Sequence, residues 1–557
     1  MAEVKKCNSY YVGVDVGTGS TRSMLLRDDG KRIALSTFPI KTWSDTGHYE
    51  QSSDDIWKSV CKCVNEVTKS YSKDQILGLA FDATCSLVVL DKDSNPISVS
   101  TTQNNCQNII LWLDHRAIEQ AKLINGTAHA VLKCVGGKVS PEMELPKILW
   151  LKQNMSDQQW SEIGHFMDLA DFLTYRSTGS LTRSLCCLVC KWNYVGFQAD
   201  DLQLGWSDSF LSSIGLSELI DGNYCKIGNT VFPPGKCIGG LNAQSAKDLG
   251  LKLGTPVATS MIDAHAGGIG MIGPELPVEF ACSYKNDICR RMALICGTST
   301  CHMTISRLPV YTQGIWGPYY SAMVPGFHLN EAGQSAAGKL IDFVIETHPS
   351  YKELATLADD NKHTVYAELE NILVKLANKL NISQISLLTK NFHVLPDFHG
   401  NRSPLARPEM TGMICGLTLN NNLENLAIIY LATIQGLAYS SRHIVDKLIE
   451  SGYEIDFVFM CGGLIHNKLY VQSHADILNK IVLINNEEEA VLMGSCLLAT
   501  IAAGDTENIE EAMRKLISVK TIVNPEPTTL GYHKQKYNVY LSMSQSQLNY
   551  IEMMQDV

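Results

Sequence analysis

The stretch YYVGVDVGTGSTRSMLL, residues 10–26, decides how the chain is read. Val12, Val14 and Val16 recur at every second position, the spacing of a strand. Gly17, Thr18, Gly19, Ser20 and Thr21 follow as a small-residue turn, and Met24, Leu25 and Leu26 resume an apolar strand. This predicts a hairpin whose loop offers backbone N–H groups, hydroxyls and Arg22 beside Asp15 at a strand end. Such a set suits phosphate oxygens, and Asp15 suits a Mg²⁺ shell. An ordinary Gly-rich hairpin has the same composition, so the stretch gains weight only from what accompanies it.

The pattern recurs far down the chain. Ala293, Leu294 and Ile295 form a short apolar strand, Gly297 to Thr300 a small-residue turn, and residues 302–305 a second strand. Two such units point to two halves of related fold, whose turns clamp a polyphosphate from both sides. Strands at 76–81, 87–90, 256–262 and 457–460 alternate with helical patterns at 114–135, 145–154, 420–450 and 485–518. That alternation gives an α/β class. Residues 347–392 are polar, helical and lysine-rich, and read as an exposed insertion.

Composition bounds the function. A chain of 557 residues suggests two to four domains. Lys plus Arg number 46 against 57 Asp plus Glu, a net charge of −11, which argues against a nucleic-acid coat. No run of 18 uninterrupted apolar residues predicts a membrane span, and the opening residues hold no signal-length apolar stretch. The expectation is a cytoplasmic chain with its 18 cysteines reduced.

Several motifs compete for the chemistry. Residues 333–339, GQSAAGK, match G-x-x-x-x-G-K, but Leu340 stands where a phosphate loop needs Ser or Thr. We read the match as coincidence and the segment as a close-packed helix start, preceded by a poor buried parallel strand. Cys187 and Cys190 form a lone C-x-x-C without a second ligand pair, which reads as buried thiols. His265 follows Asp263 at i+2 and reads as structural rather than metal-bound. Asp263 itself lies where a buried strand ends and glycines begin, where α/β sheets place ligands. A carboxylate there also serves as a helix cap. Glu331 is a second carboxylate in a Gly-rich apolar setting. Two carboxylates with two phosphate-type turns point to phosphoryl transfer onto a hydroxyl.

With these residues assembled, the chain resembles the FGGY carbohydrate kinases, in their ribulokinase-like pentulose kinase branch. The resemblance runs over about residues 10–545, on YVGVDVGTGSTR, FDATCSLVVLD, WLDHRA, PKILWLKQN, KWNY, DAHAGGIG, ICGTST, GIWGPYY, NEAGQSAAGKLID, LPDFHGNRSPLARP and CGGLIHN. It implies two actin-like, ribonuclease H-like α/β domains flanking a central cleft. The sugar side covers 10–285 and the ATP side 286–520, with a tail at 1–9 and a C-terminal segment at 521–557. It implies Asp263 as general base, with Thr84, Cys85, Lys191 and Glu331 around the sugar. Asp15, Gly17, Thr18, Gly19, Ser20, Thr21 and Arg22 approach the ATP phosphates and Mg²⁺, with Asp15 on the metal. Gly297 and Thr298 meet the phosphates from the other domain. Ala337, Gly338, Gly462, Gly463 and Asn467 flank the nucleoside. Cys461 departs from the family pattern, where several members carry an acidic residue.

The reaction so implied is phosphorylation of D-ribulose to D-ribulose 5-phosphate by ATP. L-ribulose, xylulose or glycerol kinases are alternatives, and so is a non-catalytic, actin/Hsp70-like nucleotide switch. The expected partners are a sugar and ATP, with no nucleic acid and no membrane; oligomeric state is left open, a homodimer among the options.

Overall fold

The computed structural model describes residues 8–45, 47–198, 202–280 and 283–554. Of the tail expected at 1–9, residues 1–7 lie outside the described residues, as do residues 555–557 of the C-terminal segment.

The first sheet is built on β1 (Tyr10–Val16), all seven residues of which are buried. With it stand β2 (Ser20–Arg27), β3 (Arg32–Pro39), β4 (Ile76–Ala83), β5 (Cys237–Gly240), β6 (Pro256–Ala258) and β7 (Met261–Ile262). Their order is β5-β6-β4-β1-β2-β3, with β7 also on β4. The second sheet holds β8 (Arg291–Cys296), β9 (Thr300–Ser306), β10 (Trp316–Tyr320), β11 (His328–Gln334), β12 (Phe457–Cys461), β13 (Ile481–Asn485) and β14 (Val519–Val523). Its order is β10-β11-β9-β8-β12-β13-β14.

The duplication read in the two hairpins extends to both sheets. β3, β2 and β1 run antiparallel and β4 and β6 then parallel. In the second sheet β11, β9 and β8 run antiparallel and β12 and β13 parallel.

Nine helices matter for the site. They are α1 (Leu185–Lys191), α2 (Asp263–Ile272), α3 (Gly338–Glu346), α4 (Tyr351–Asn361), α5 (Val365–Lys379), α6 (Leu423–Glu450), α7 (Lys468–Leu478), α8 (Ala490–Ala502) and α9 (Leu530–Met553). Between the sheets α2 and α8 cross. α8 comes from the second half of the sequence yet packs on β1 and β4 of the first sheet, while α2 packs on β8 of the second. Small residues permit this. A Cβ at Gly13 would meet Leu492 O at 2.8 Å, and one at Gly78 would meet Ala499 O at 2.3 Å. A division of the chain at residue 285 therefore does not divide its packing.

Three readings are corrected. The segment 347–392 is not merely an exposed insertion: Leu354 of α4 and Leu369, Ile372 and Leu373 of α5 are buried in the core beneath α6. Apolar residues at helical spacing had been masked by the surrounding lysines. Residues 485–518 hold two helices, with a turn at Gly504. GQSAAGK is a helix start only at its end: Gly333 and Gln334 belong to the buried β11, which pairs antiparallel rather than parallel, and α3 begins at Gly338. α9 closes the C-terminal segment, with Tyr537 and Tyr540 packed on Tyr439 of α6.

Candidate active site

Each turn is closed by a backbone bond from its first glycine, over a four-residue loop in the first and a three-residue loop in the second. Gly17 N donates to Ser20 O at 3.0 Å, and Gly297 N to Ser299 O at 2.9 Å. Thr18 and Gly19 are exposed at the first tip, and Thr298 at the second, whereas Thr21 is buried behind the first. Thr18 accepts from its neighbours: its hydroxyl from Trp112 Nε1 at 3.1 Å and its carbonyl from Gln51 Nε2 at 2.8 Å. Arg22 reaches back along the hairpin to Asp15, with Nε at 2.7 Å, and across to Glu489 at 2.7 Å, just before α8. A Cβ at Gly19 would meet nothing within 4 Å, so the tip faces open space.

The second turn is locked to the start of α3. Ala337 N donates to Thr298 O at 2.8 Å and Gly338 N to Gly297 O at 3.0 Å. Gly338 is required, because a Cβ there would stand 2.8 Å from Gly297 O. Gly462, at φ +89°, brings the loop after β12 onto the same turn, and its Cβ would lie 2.5 Å from Cys296 O. Gly463 beside it is exposed. Asn467 caps α7, accepting from Tyr470 N at 3.0 Å, and donates to the Tyr430 hydroxyl at 2.7 Å. Gly297, Thr298, Ala337, Gly338 and Gly462 thus form one patch. Asn467 is at its margin with its amide engaged within the fold.

Three aspartates share the carboxyl ends of neighbouring strands. The register sets Asp15 beside Asp82, and Met261 beside Asp82, so Asp263 follows on the next strand end. Asp82 is fully buried and hydrogen-bonded by Ser495; burial and the Asp15 charge hold it well above the carboxylate range. Asp263 is half-buried and takes the Ala264 N–H at 2.7 Å. Burial, then the Asp15 charge, pushes it up to about 6, against the pull of Ala264, His265 and Lys191.

Across from Asp263 lies a charged, aromatic pocket. Lys191 ends α1, and its ammonium stands 5.6 Å from the centre of the Trp316 ring. The Arg402 guanidinium lies 4.6 Å from that ring and 3.9 Å from Glu142. Glu331, opposite Trp316 in the β10–β11 register, accepts from His265 Nε2 at 3.2 Å. Burial pushes Glu331 up, but His265, Lys191 and Arg402 more than reverse this and hold it below the ordinary range. Burial pushes Lys191 down, and Cys85, Glu331 and Glu142 outweigh it. Thr84 and Cys85 follow β4 directly and are buried; Thr84 bonds Ser86, and Cys85 is near enough to Lys191 to feel its charge.

The structure brings Lys191, Glu331 and Cys85 into one neighbourhood with Asp263, as the sequence had grouped them. It adds Glu142, Trp316 and Arg402, which sequence reasoning left out, and His265, which it read as structural. Trp316 and Arg402 lie in quoted stretches, GIWGPYY and LPDFHGNRSPLARP, but only β-sheet register and a long loop bring them to Glu331. The C-x-x-C cysteines are buried as read, and the described cysteines are all free thiols. Lys339 is exposed, and Gly333 and Gln334 lie within β11 rather than in a phosphate loop.

The chain matches the N-terminal domain of the FGGY family of carbohydrate kinases over residues 10–270 and its C-terminal domain over 292–503. The chain belongs to the FGGY family of carbohydrate kinases. A FGGY carbohydrate kinase domain-containing protein of Homo sapiens is 46% identical over 556 residues, 99% of each chain. A D-ribulokinase of Saccharomyces cerevisiae is 38% identical over 522 residues, 90% of this chain and 73% of that one. Among solved structures, a ligand-bound xylulose kinase from Lactobacillus acidophilus superposes with a TM-score of 0.77 at 18% identity, covering 97% of this chain and 98% of that chain. The FGGY fold so shared is a pair of actin-like domains, which accounts for the repeated sheet topology. The protein is a carbohydrate kinase, and among its described residues no helix is long and apolar enough to cross a membrane.

Proposed function

We propose that the chain phosphorylates a pentulose, with D-ribulose as acceptor and ATP as donor, in a Mg²⁺-dependent reaction. One observation carries the reading: Asp263, the Lys191–Glu331–Arg402–Trp316 pocket and the turn of residues 15–22 meet at one end of the first sheet. A nucleotide switch needs the two turns but has no use for such a pocket. The choice of D-ribulose is supported by the similarity to the yeast D-ribulokinase over most of the chain.

In this reading Lys191, Arg402 and Glu331 hydrogen-bond the sugar's hydroxyl and carbonyl oxygens, and Trp316 covers its carbon face. Asp263 accepts the proton of the terminal hydroxyl. That oxygen attacks the γ-phosphorus, the bond to the β-phosphate breaks, and ADP leaves with the electron pair. The tips at Thr18–Gly19 and Gly297–Thr298 direct N–H groups and hydroxyls at the phosphates. The residues fit a hard cation, because the register gathers the carboxyls of Asp15, Asp82 and Asp263 at neighbouring strand ends, where oxygen ligands are what such an ion takes. Asp15 would hold Mg²⁺, which when bound neutralises charge on the phosphate oxygens.

ATP consumption across pentuloses, pentitols, hexoses and glycerol tests the acceptor. D-ribulose is expected to lead in kcat/KM. A site that hydrogen-bonds a hydroxyl rejects an analogue lacking it by about 10⁴-fold or more. Glycerol or a hexose outranking every pentulose would overturn the assignment.

The loop assignment makes a separate prediction. Lys339→Ala is expected to cost less than about tenfold in kcat/KM, ~1.4 kcal/mol of transition-state stabilisation. At Gly297 a Cβ meets only Ser299 O at 3.9 Å, so Gly297→Val places its side chain toward the space assigned to phosphate. It should raise the KM for ATP or abolish turnover, as should Thr18→Ala to a lesser degree. A dead, folded Lys339→Ala beside a normal Gly297→Val would put the nucleotide on the other loop.

A further inference from the structure

Behind the pocket, two sulfurs and an imidazole nitrogen converge. Cys186 and Cys190 are four residues apart on α1, so both thiols project from one side of that helix. His265, in the first turn of α2, turns its Nδ1 toward them, 3.0 Å from Cys186 Sγ. The ligating atoms of Cys186, Cys190 and His265 all lie within 4.8 Å of one another, and all three residues are buried. The other ring nitrogen, Nε2, donates to Glu331 at 3.2 Å. That bond fixes the ring and leaves Nδ1 to the sulfurs.

Two thiolates and an imidazole are the donors of a borderline-soft cation rather than of Mg²⁺. Sulfurs at about 2.3 Å and a nitrogen at about 2.0 Å around a tetrahedral ion stand roughly 3.5–3.8 Å apart. The present spacing meets that with displacements on the order of 1 Å. A carboxylate bonded to the far nitrogen is the usual support of a metal-bound histidine. We propose that Cys186, Cys190 and His265 form a binding site for one Zn²⁺-class cation, with Glu331 orienting the imidazole from behind. Binding replaces protons: the one shared between Cys186 Sγ and His265 Nδ1 and the one on Cys190 pass to solvent, Nε2 keeps its proton for Glu331, and two thiolates balance the charge of the ion. No electron transfer is involved. The fourth tetrahedral position is left to water.

The alternative is a metal-free hydrogen-bonded cluster in which Cys186 meets His265 and the neighbouring thiols of Cys187 and Cys190, and which binds no cation. Of the two C-x-x-C cysteines, read from the sequence as buried thiols without a ligand set, Cys190 is in the trio and Cys187 is outside it. The inference goes beyond the kinase reading and does not depend on which sugar is the acceptor.

The test uses the full chain, produced in Zn²⁺-supplemented medium and purified reduced and without chelator, with metal counted by mass spectrometry. About one zinc per chain is expected. Chain produced with Co²⁺ instead should show thiolate-to-cobalt charge-transfer absorption and the strong visible bands of a tetrahedral site. Metal content should fall to background in Cys186→Ser and in Cys190→Ser and persist in Cys187→Ser, with melting curves showing that each variant is folded. The wild-type cobalt spectrum needs no variant and stands if one fails to fold. Wild-type chain with less than about a tenth of an equivalent and no charge-transfer band would overturn the proposal. Undiminished metal in folded Cys190→Ser would overturn it too, by placing the cation elsewhere.

Discussion

Asp263→Asn is expected to lower kcat by about 10²–10⁴, the usual contribution of a positioned general base. Sugar binding should weaken less, and ATP binding hardly at all. Asn keeps the shape of Asp and can still accept the Ala264 N–H, so the helix start survives. Stability supplies the control. The folded-state pKa of Asp263, about 6, is above the unfolded carboxylate's ~3.9. The stability it contributes is therefore present below that unfolded value and lost as pH rises through about 6. At neutral pH the charged Asp263 is a cost, and Asn removes it, so the melting temperature should hold or rise while turnover collapses. The same shift sets the pH profile. The base works deprotonated, so wild-type kcat/KM for sugar should fall as pH drops through about 6. Asp263→Asn should lose that acid limb. A helix-cap role alone forecasts that kcat survives the substitution. A folded variant keeping more than about a tenth of wild-type kcat would place the base elsewhere, with Glu331 next.

What the sequence disclosed depended on how local the signal was. The first hairpin was legible because alternating valines, a run of small residues and a second apolar run lie within seventeen residues, 10–26, and the second because 293–305 repeats the order of apolar run, small residues and strand. The strand end at Ile262 and the glycines after Asp263 were legible for the same reason. Glu331 was legible as a carboxylate in a Gly-rich apolar setting, whereas Lys191 entered only through family resemblance, since nothing near it marks it as facing a sugar. Arg402, Trp316 and Glu142 escaped because their meeting depends on the β10–β11 register and on a loop that returns from beyond α5. The passage of α8 onto the first sheet was invisible for a further reason. Its apolar residues fit any buried helix, and its partner glycines, Gly13 and Gly78, read as ordinary strand residues.

The crossing of α2 and α8 is where a single methyl group should do the most damage to the fold. A Cβ at Gly494 would stand 2.0 Å from Ala266 O, and one at Gly270 would stand 1.9 Å from Ala490 O. Both obstacles are backbone carbonyls inside helices, which cannot rotate aside as a side chain does. Overpacking a core typically costs about 1–3 kcal/mol, and a clash with backbone belongs at or above the top of that range. For a unit of some 150–250 residues, about 3 kcal/mol lowers the melting temperature by roughly 6–12 °C. Gly494→Val should do at least this, or yield no soluble chain. Gly126→Ala, where a Cβ meets nothing within 4 Å, is the matched control and should melt like the wild type. The crossing also bears on catalysis. α2 begins at Asp263, and Glu489, just before α8, holds Arg22 of the phosphate hairpin. The distance between the two helices therefore sets the distance between proposed base and phosphate. Gly494→Ala, the smaller insult, should lose turnover out of proportion to its loss of stability if any folded chain is recovered. A Gly494→Val chain that melts like the wild type would mean that the helices part easily, and the base would then owe its position to the β4–β7 pairing alone.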